Sequence, residues 1–177
     1  MRKWTLKEKK KLVVLLICTV LGGVLGFVDT LIPPLFAEIP FLVVQLGMLP
    51  ALFVLLAYGP AEAILVWGAH SVVYGLVLDD GYAIIFQFAA AAAAFAAVWA
   101  VMRTQRFGAI ASGGVNGVVY AFVYTCLLCI VPKMAAPFVW LAHSFAFYFV
   151  CHGVLGALAY LGLRFIPERL LFDDIRE

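Results

Sequence analysis

The stretch Met134–Leu163 reads MAAPFVWLAHSFAFYFVCHGVLGALAYLGL, 30 residues without one charged side chain. A helix needs about 20 apolar residues to cross the hydrocarbon core of a bilayer, so this run alone is long enough to span it. Four further runs lack charge in the same way: Leu12–Val28, Ile39–Ala61, Gly81–Met102 and Phe107–Pro132. Over 177 residues, 66% are hydrophobic and 12% charged, whereas soluble domains run near half apolar and a quarter charged. A soluble enzyme is excluded. A membrane β-barrel would show strands of about ten residues alternating apolar and polar, and no such alternation is present. The class is a polytopic, all-α membrane protein forming a single integral membrane domain over residues 1–177.

Proline, glycine and charge cut the chain into hydrophobic segments at about 12–32, 41–58, 61–78, 82–102, 109–131 and 137–163. Pro33-Pro34 with Pro40, Gly59-Pro60, Asp79-Asp80-Gly81, and Pro132 with Pro137 are the turn and helix-stop signals between them. Segments two and three are short enough to suggest a re-entrant hairpin, but together they are too long for one helix, which favours six transmembrane helices. Basic residues orient the bundle, because short cytoplasmic loops retain Lys and Arg. With six spans, Arg2, Lys3, Lys7, Lys9, Lys10, Lys11, Arg103, Arg106, Arg164, Arg169 and Arg176 share one side, leaving only Lys133 on the other. Both termini are therefore expected in the cytoplasm and the protein in the cell membrane. The basic start resembles a signal peptide, but the long apolar run that follows has no small-residue cleavage site before Asp29 and reads as a retained helix.

With the direction set, the polar side chains can be assigned depths. Asp29, Glu38, Gln45, Tyr74, Asp79, Asp80, Tyr82, Gln87, Tyr124, Lys133, Trp140 and His143 fall in the outer third; His70, Tyr120 and Tyr148 lie near the middle. Ser112, Asn116 and His152 are the main polar groups of the inner half. Residues three and four apart share a helix face, which aligns Trp67, His70, Ser71 and Tyr74 on helix three and Asn116, Tyr120 and Tyr124 on helix five. Helix six aligns Trp140, Ser144, Tyr148 and Cys151, with His143 beside them. Apolar walls with a few convergent polar groups describe a pocket for a small, flat, partly polar ligand, here opening to the outside. The expected ligand-binding residues are Trp140, His143, Tyr124, Tyr74, Tyr120, Gln87, Asp29 and Glu38. The competing reading is that Trp and Tyr serve as interfacial anchors and that single polar groups join helices.

Other chemistries fit poorly. Cys126-Leu-Leu-Cys129 has redox or zinc spacing but sits within a hydrophobic helix without a second pair, where Cys is an ordinary small apolar residue. His143 and His152, nine residues apart, point about 180° apart and lie about 13 Å apart along one helix, so they do not share a metal ion. Ser112 with a downstream histidine resembles an intramembrane serine protease only faintly, because only His152 has the depth to approach it. No Gly-rich phosphate motif is present, so no nucleotide or other cofactor is expected, no enzyme activity, and no nucleic-acid partner. Asp79 and Asp80 read most simply as a solvated turn.

Helix one carries Cys18, Gly22 and Gly26 at four-residue steps, a face that lets another helix approach closely, either inside the bundle or from a partner. This small-residue face, the six helices, the cytoplasmic termini and the outward pocket resemble the substrate-binding S components of energy-coupling factor (ECF) transporters. The local match is Gln45-Leu-Gly-Met-Leu-Pro-Ala51, continuing to Tyr58-Gly-Pro-Ala-Glu-Ala63. Met48 stands where that family often has an acidic or amide residue, and glycines replace alanines on helix one. The family's metal-transporting branch begins Met-His, unlike Met1-Arg2-Lys3 here. The resemblance implies capture of a vitamin or vitamin precursor at the outer face, then docking through Cys18, Gly22 and Gly26 onto a transmembrane coupling protein with two ATPase subunits. A bulky residue at Gly22 or Gly26 should then abolish docking and spare ligand binding. The alternative is a self-sufficient facilitator or secondary transporter, whose signature is repeats and broken helices around a midplane site.

Overall fold

The computed structural model describes residues 5–33, 43–102, 108, 111–130 and 138–166. These are helical apart from short connections: α1 (Leu6–Leu31), α2 (Met48–Tyr58), α3 (Pro60–Leu78), α4 (Gly81–Met102), α5 (Asn116–Ile130) and α6 (Phe138–Phe165), with a π-helical turn at Ala111–Val115 leading into α5. Five segments are long and apolar enough to cross a membrane: Glu8–Leu31, Pro60–Leu78, Ile84–Met102, Ser112–Ile130 and Leu141–Phe165. The chain is a helical membrane protein. On α1 the outward positions Leu16, Val20, Val24, Phe27 and Leu31 are all exposed, an apolar stripe suited to lipid and not to water.

Two expected boundaries shift. α1 begins six residues before Leu12, because Thr5 and Glu8 form a capping box: the Glu8 N–H donates to Thr5 Oγ1 at 3.2 Å and the Thr5 N–H to Glu8 Oε2 at 2.7 Å. Two orphan donors of the first turn are thereby satisfied. More consequentially, the second segment is helical only over Met48–Tyr58, 11 residues, about 16 Å and half a span. Pro50 sets this start: proline is tolerated in a first turn, where its missing N–H costs nothing, and disrupts a helix further in. Residues 43–47 before it are non-helical, yet Val43 and Gln45 are buried. The chain thus enters the bundle as irregular backbone before α2 starts.

α1 and α3 run parallel and make the most intimate contact of the bundle. A side chain on Gly22 would meet the Val66 carbonyl oxygen at 2.8 Å, and one on Gly26 the His70 carbonyl oxygen at 2.5 Å. Lys11 and Glu62 form an ion pair joining the starts of the two helices. Gly22 and Gly26 are therefore already covered by α3, whereas Cys18 on the same stripe lines an open groove. α5 and α6 cross antiparallel by the same device. Side chains on Gly113 and Gly117 would meet the Gly153 and Phe149 carbonyl oxygens, both at 2.5 Å. Ser112 Oγ donates to the Gly156 carbonyl at 2.9 Å and Asn116 Nδ2 to the His152 carbonyl at 3.2 Å. An open, mainly apolar groove of about 570 Å³ brings Lys9, Lys10 and Val13 of α1 beside Ile166, so the start of α1 and the end of α6 lie at one end of the bundle. At the opposite end Asp79 adopts the left-handed conformation (φ 52°) and closes α3 by donating its N–H to the Gly75 carbonyl.

Candidate functional site

Polar groups from α1, α3, α5, α6 and the non-helical segment before α2 meet in the interior. Asp29 ends the buried stripe that begins at Cys18, Gly22 and Gly26, so the backbone contact made by the glycines sets the carboxylate against α3. Its Oδ2 lies 2.8 Å from His70 Nε2, with both side chains fully buried. The His70 ring is held on its other sides by Trp67, stacked at 4.3 Å, and by Gly47, where any side chain would overlap the ring. Trp67 Nε1 donates to the Gln87 carbonyl at 3.0 Å, tying α3 to α4.

A second knot lies across the Trp67 ring, which meets Tyr120 edge-on at 6.3 Å. The Tyr120 hydroxyl donates to Gln45 Oε1 at 2.6 Å, and His152 Nε2 lies 3.1 Å from the same oxygen. Tyr120 and His152 stack at 3.7 Å, while Tyr124 and Tyr148 pack at 4.8 Å beside them. Gln45 supplies this acceptor only because the backbone before α2 is not helical, which frees it to reach the middle of α5 and α6. The expected outer-third depth of Gln45 is corrected accordingly.

Of the expected ligand-binding residues, Asp29, Tyr74, Tyr120, Tyr124 and Gln87 are buried. Tyr74 stacks near His70 at 6.0 Å and Tyr124 near Tyr120 at 5.7 Å. His143 is exposed, because the inward positions of α6 are Ser144, Tyr148 and His152, four apart, and His143 precedes that line by 100°. Glu38 and the side chain of Trp140 lie outside the described residues. Sequence reasoning left Gln45, His70, Trp67 and His152 off the ligand-binding set. Spacing carried the signal for three of them, since Trp67 and His70 align with Tyr74, and His152 falls one turn after Tyr148. For Gln45 the signal is Pro50, which ends the helical register before it.

Several buried atoms in or beside this cluster lack a hydrogen-bond partner: Asp29 Oδ1, His70 Nδ1, Ser71 Oγ, Gln87 Oε1, Asn116 Oδ1 and His152 Nδ1. Buried polar groups are normally satisfied, and unpaired ones cost more where no water reaches them. Such a set inside a membrane bundle makes this cluster the candidate site, since polar and ionisable residues at membrane depth are costly to keep there. Comparison with protein-family models, with curated proteins and with solved structures finds no match to this chain.

Proposed function

We propose that the chain is the substrate-capture subunit of an importer of the energy-coupling factor type. On this reading it binds a small vitamin or vitamin precursor from the outer face of the bacterial cell membrane and docks onto a transmembrane coupling protein with two ATPase subunits. The observation that carries the reading is the cluster of unsatisfied polar atoms bordered by Trp67, Tyr120, Tyr124 and Tyr148, the arrangement of a site for a flat, partly polar solute. Since α3 covers the glycine face of α1, docking on this reading uses another surface. The purified chain, with no ATPase present, is expected to bind at least one member of a panel of heteroaromatic vitamins in tryptophan-fluorescence and thermal-shift assays. Co-purification with tagged ATPase subunits then separates this importer from other transporters; a panel without a single binder counts against capture itself.

A second reading, a self-sufficient secondary transporter, draws support from two observations. α2 is a half-length helix preceded by buried irregular backbone, and a carboxylate–imidazole pair sits in the interior; discontinuous helices around ionisable groups are typical of coupled transport. Uptake into proteoliposomes by the chain alone, driven by an imposed pH gradient, would favour this reading over the first.

Both readings place the termini in the cytoplasm. In a variant whose four native cysteines are replaced, a cysteine at Asp80 is expected to react with an impermeant reagent from outside the cell, and one at Thr5 only after permeabilisation. The reverse pattern would invert the bundle.

A further inference from the structure

The unsatisfied atoms share a chemical sense. Gln45 Oε1 is an acceptor, so the His152 nitrogen facing it at 3.1 Å is the one that carries hydrogen, and in the neutral ring the orphaned Nδ1 is then a bare acceptor. His70 faces a carboxylate oxygen through Nε2 and leaves Nδ1 without a partner; that nitrogen accepts in the neutral ring and donates in the imidazolium. Asn116 uses its Nδ2 on the His152 carbonyl and leaves Oδ1 over; Gln87 leaves Oε1 and Asp29 leaves Oδ1. Apart from the Ser71 hydroxyl and His70 Nδ1, which can act either way, the orphans named here all accept. These atoms belong to one connected network: Asp29 bonds His70, His70 stacks on Trp67, Trp67 bonds the Gln87 carbonyl and meets Tyr120, and Tyr120 stacks on His152.

Charge points the same way. Between Leu12 and Met102 the sequence has no Lys or Arg, and the helical runs Ala111–Ile130 and Phe138–Leu163 have none either. The described basic side chains, Lys9, Lys10, Lys11 and Arg164, lie at the end of the bundle where α1 starts and α6 finishes. A carboxylate or phosphate entering the cluster would meet Asp29 with only the His70 ring beside it and no Lys or Arg in the runs 12–102, 111–130 and 138–163 to offset it, whereas an ammonium or protonated ring nitrogen would offset the buried carboxylate.

Resting on the capture reading, we infer that the solute is a cationic, N–H-donating heteroaromatic, held by Asp29 and the neighbouring acceptor atoms of the cluster, and that anionic vitamins are rejected. The test uses the full-length chain and three quinolines substituted at one position with aminomethyl, carboxamide or carboxylate groups, so that ring and size are held nearly constant while charge runs from positive to negative. The aminomethyl compound is expected to bind at least about tenfold more tightly than the carboxylate, in line with a charge-assisted hydrogen bond. In Asp29→Asn, which keeps the shape and an acceptor, its affinity should fall to that of the carboxamide. Equal binding of the three, or tighter binding of the carboxylate, overturns the inference and leaves capture standing. If no quinoline binds, the vitamin panel decides: binders confined to anionic members overturn the charge assignment alone, binders confined to cationic members uphold it, and no binder at all removes both. Because the series is measured on the unaltered protein, a misfolded Asp29→Asn does not blunt the test.

Discussion

Gly26→Leu is expected to leave little folded protein: lower yield from the membrane, aggregation on size exclusion, and loss of solute binding together with any partner interaction. The reason is the distance already present at this site. Even a methyl group on Gly26 would lie 2.5 Å from the His70 carbonyl oxygen and 3.1 Å from its Cα, and those are backbone atoms that cannot rotate away. Accommodating a leucine means pushing α1 off α3. In lipid the helices are held together mainly by close packing and interhelical hydrogen bonds, so separation removes the contact and stretches the 2.8 Å Asp29–His70 pair one turn further along α1. Overpacking a core commonly costs about 1–3 kcal/mol, and pulling the buried Asp29 carboxylate off His70 adds to that by leaving it without its partner. The control is Gly23→Leu, on the next position of the same helix, where the nearest atom to a new side chain is the flexible Val73 methyl at 3.7 Å; it should remain folded. If Gly26→Leu purified as a stable protein with unchanged binding, the α1–α3 contact described above would be wrong.

The helical class was legible from the charge-free runs, since hydrophobic length alone separates a membrane bundle from a soluble fold. Tertiary placement was legible only in part. Cys18, Gly22 and Gly26 announce a close helix contact, but spacing does not say whether the neighbour is α3 or another chain; only the position of Val66 and His70 decides it. The crossing of α5 on α6 has its own signal in Gly113 and Gly117, four apart, each preceded by a polar residue, Ser112 and Asn116, that bonds α6, but spacing alone does not name the partner helix. The half-helix α2 was misjudged because an apolar run was treated as uniform helix through Pro50, when proline belongs in a first turn. That misjudgement propagated, since Gln45 counted from a helix beginning near Phe41 sits in the outer third, whereas as irregular backbone it reaches Tyr120 and His152. His143 stands one residue out of phase with Ser144, Tyr148 and His152, a rotation that places it outside the buried cluster.

Gln45→Leu should be the most damaging single change in the polar cluster that leaves the helix contacts untouched. One oxygen, Gln45 Oε1, takes hydrogen bonds from the Tyr120 hydroxyl and from His152 Nε2, so leucine leaves two fully buried donors without an acceptor. Hydrogen bonds between membrane helices measure about 0.6 kcal/mol on average, but an unsatisfied buried donor carries its own desolvation cost of about 1–3 kcal/mol. The variant is expected to lose roughly 2–5 kcal/mol of stability and to unfold at a clearly lower temperature in detergent. Tyr120→Phe removes a single donor and should cost less than half as much. The double variant is the discriminating measurement: once Tyr120 has no hydroxyl, Gln45→Leu strands only His152, so its effect in that background should be smaller than in the native chain by more than the 0.3–0.5 kcal/mol within which independent sites usually add. Strict additivity would mean that the Tyr120–Gln45 bond contributes nothing.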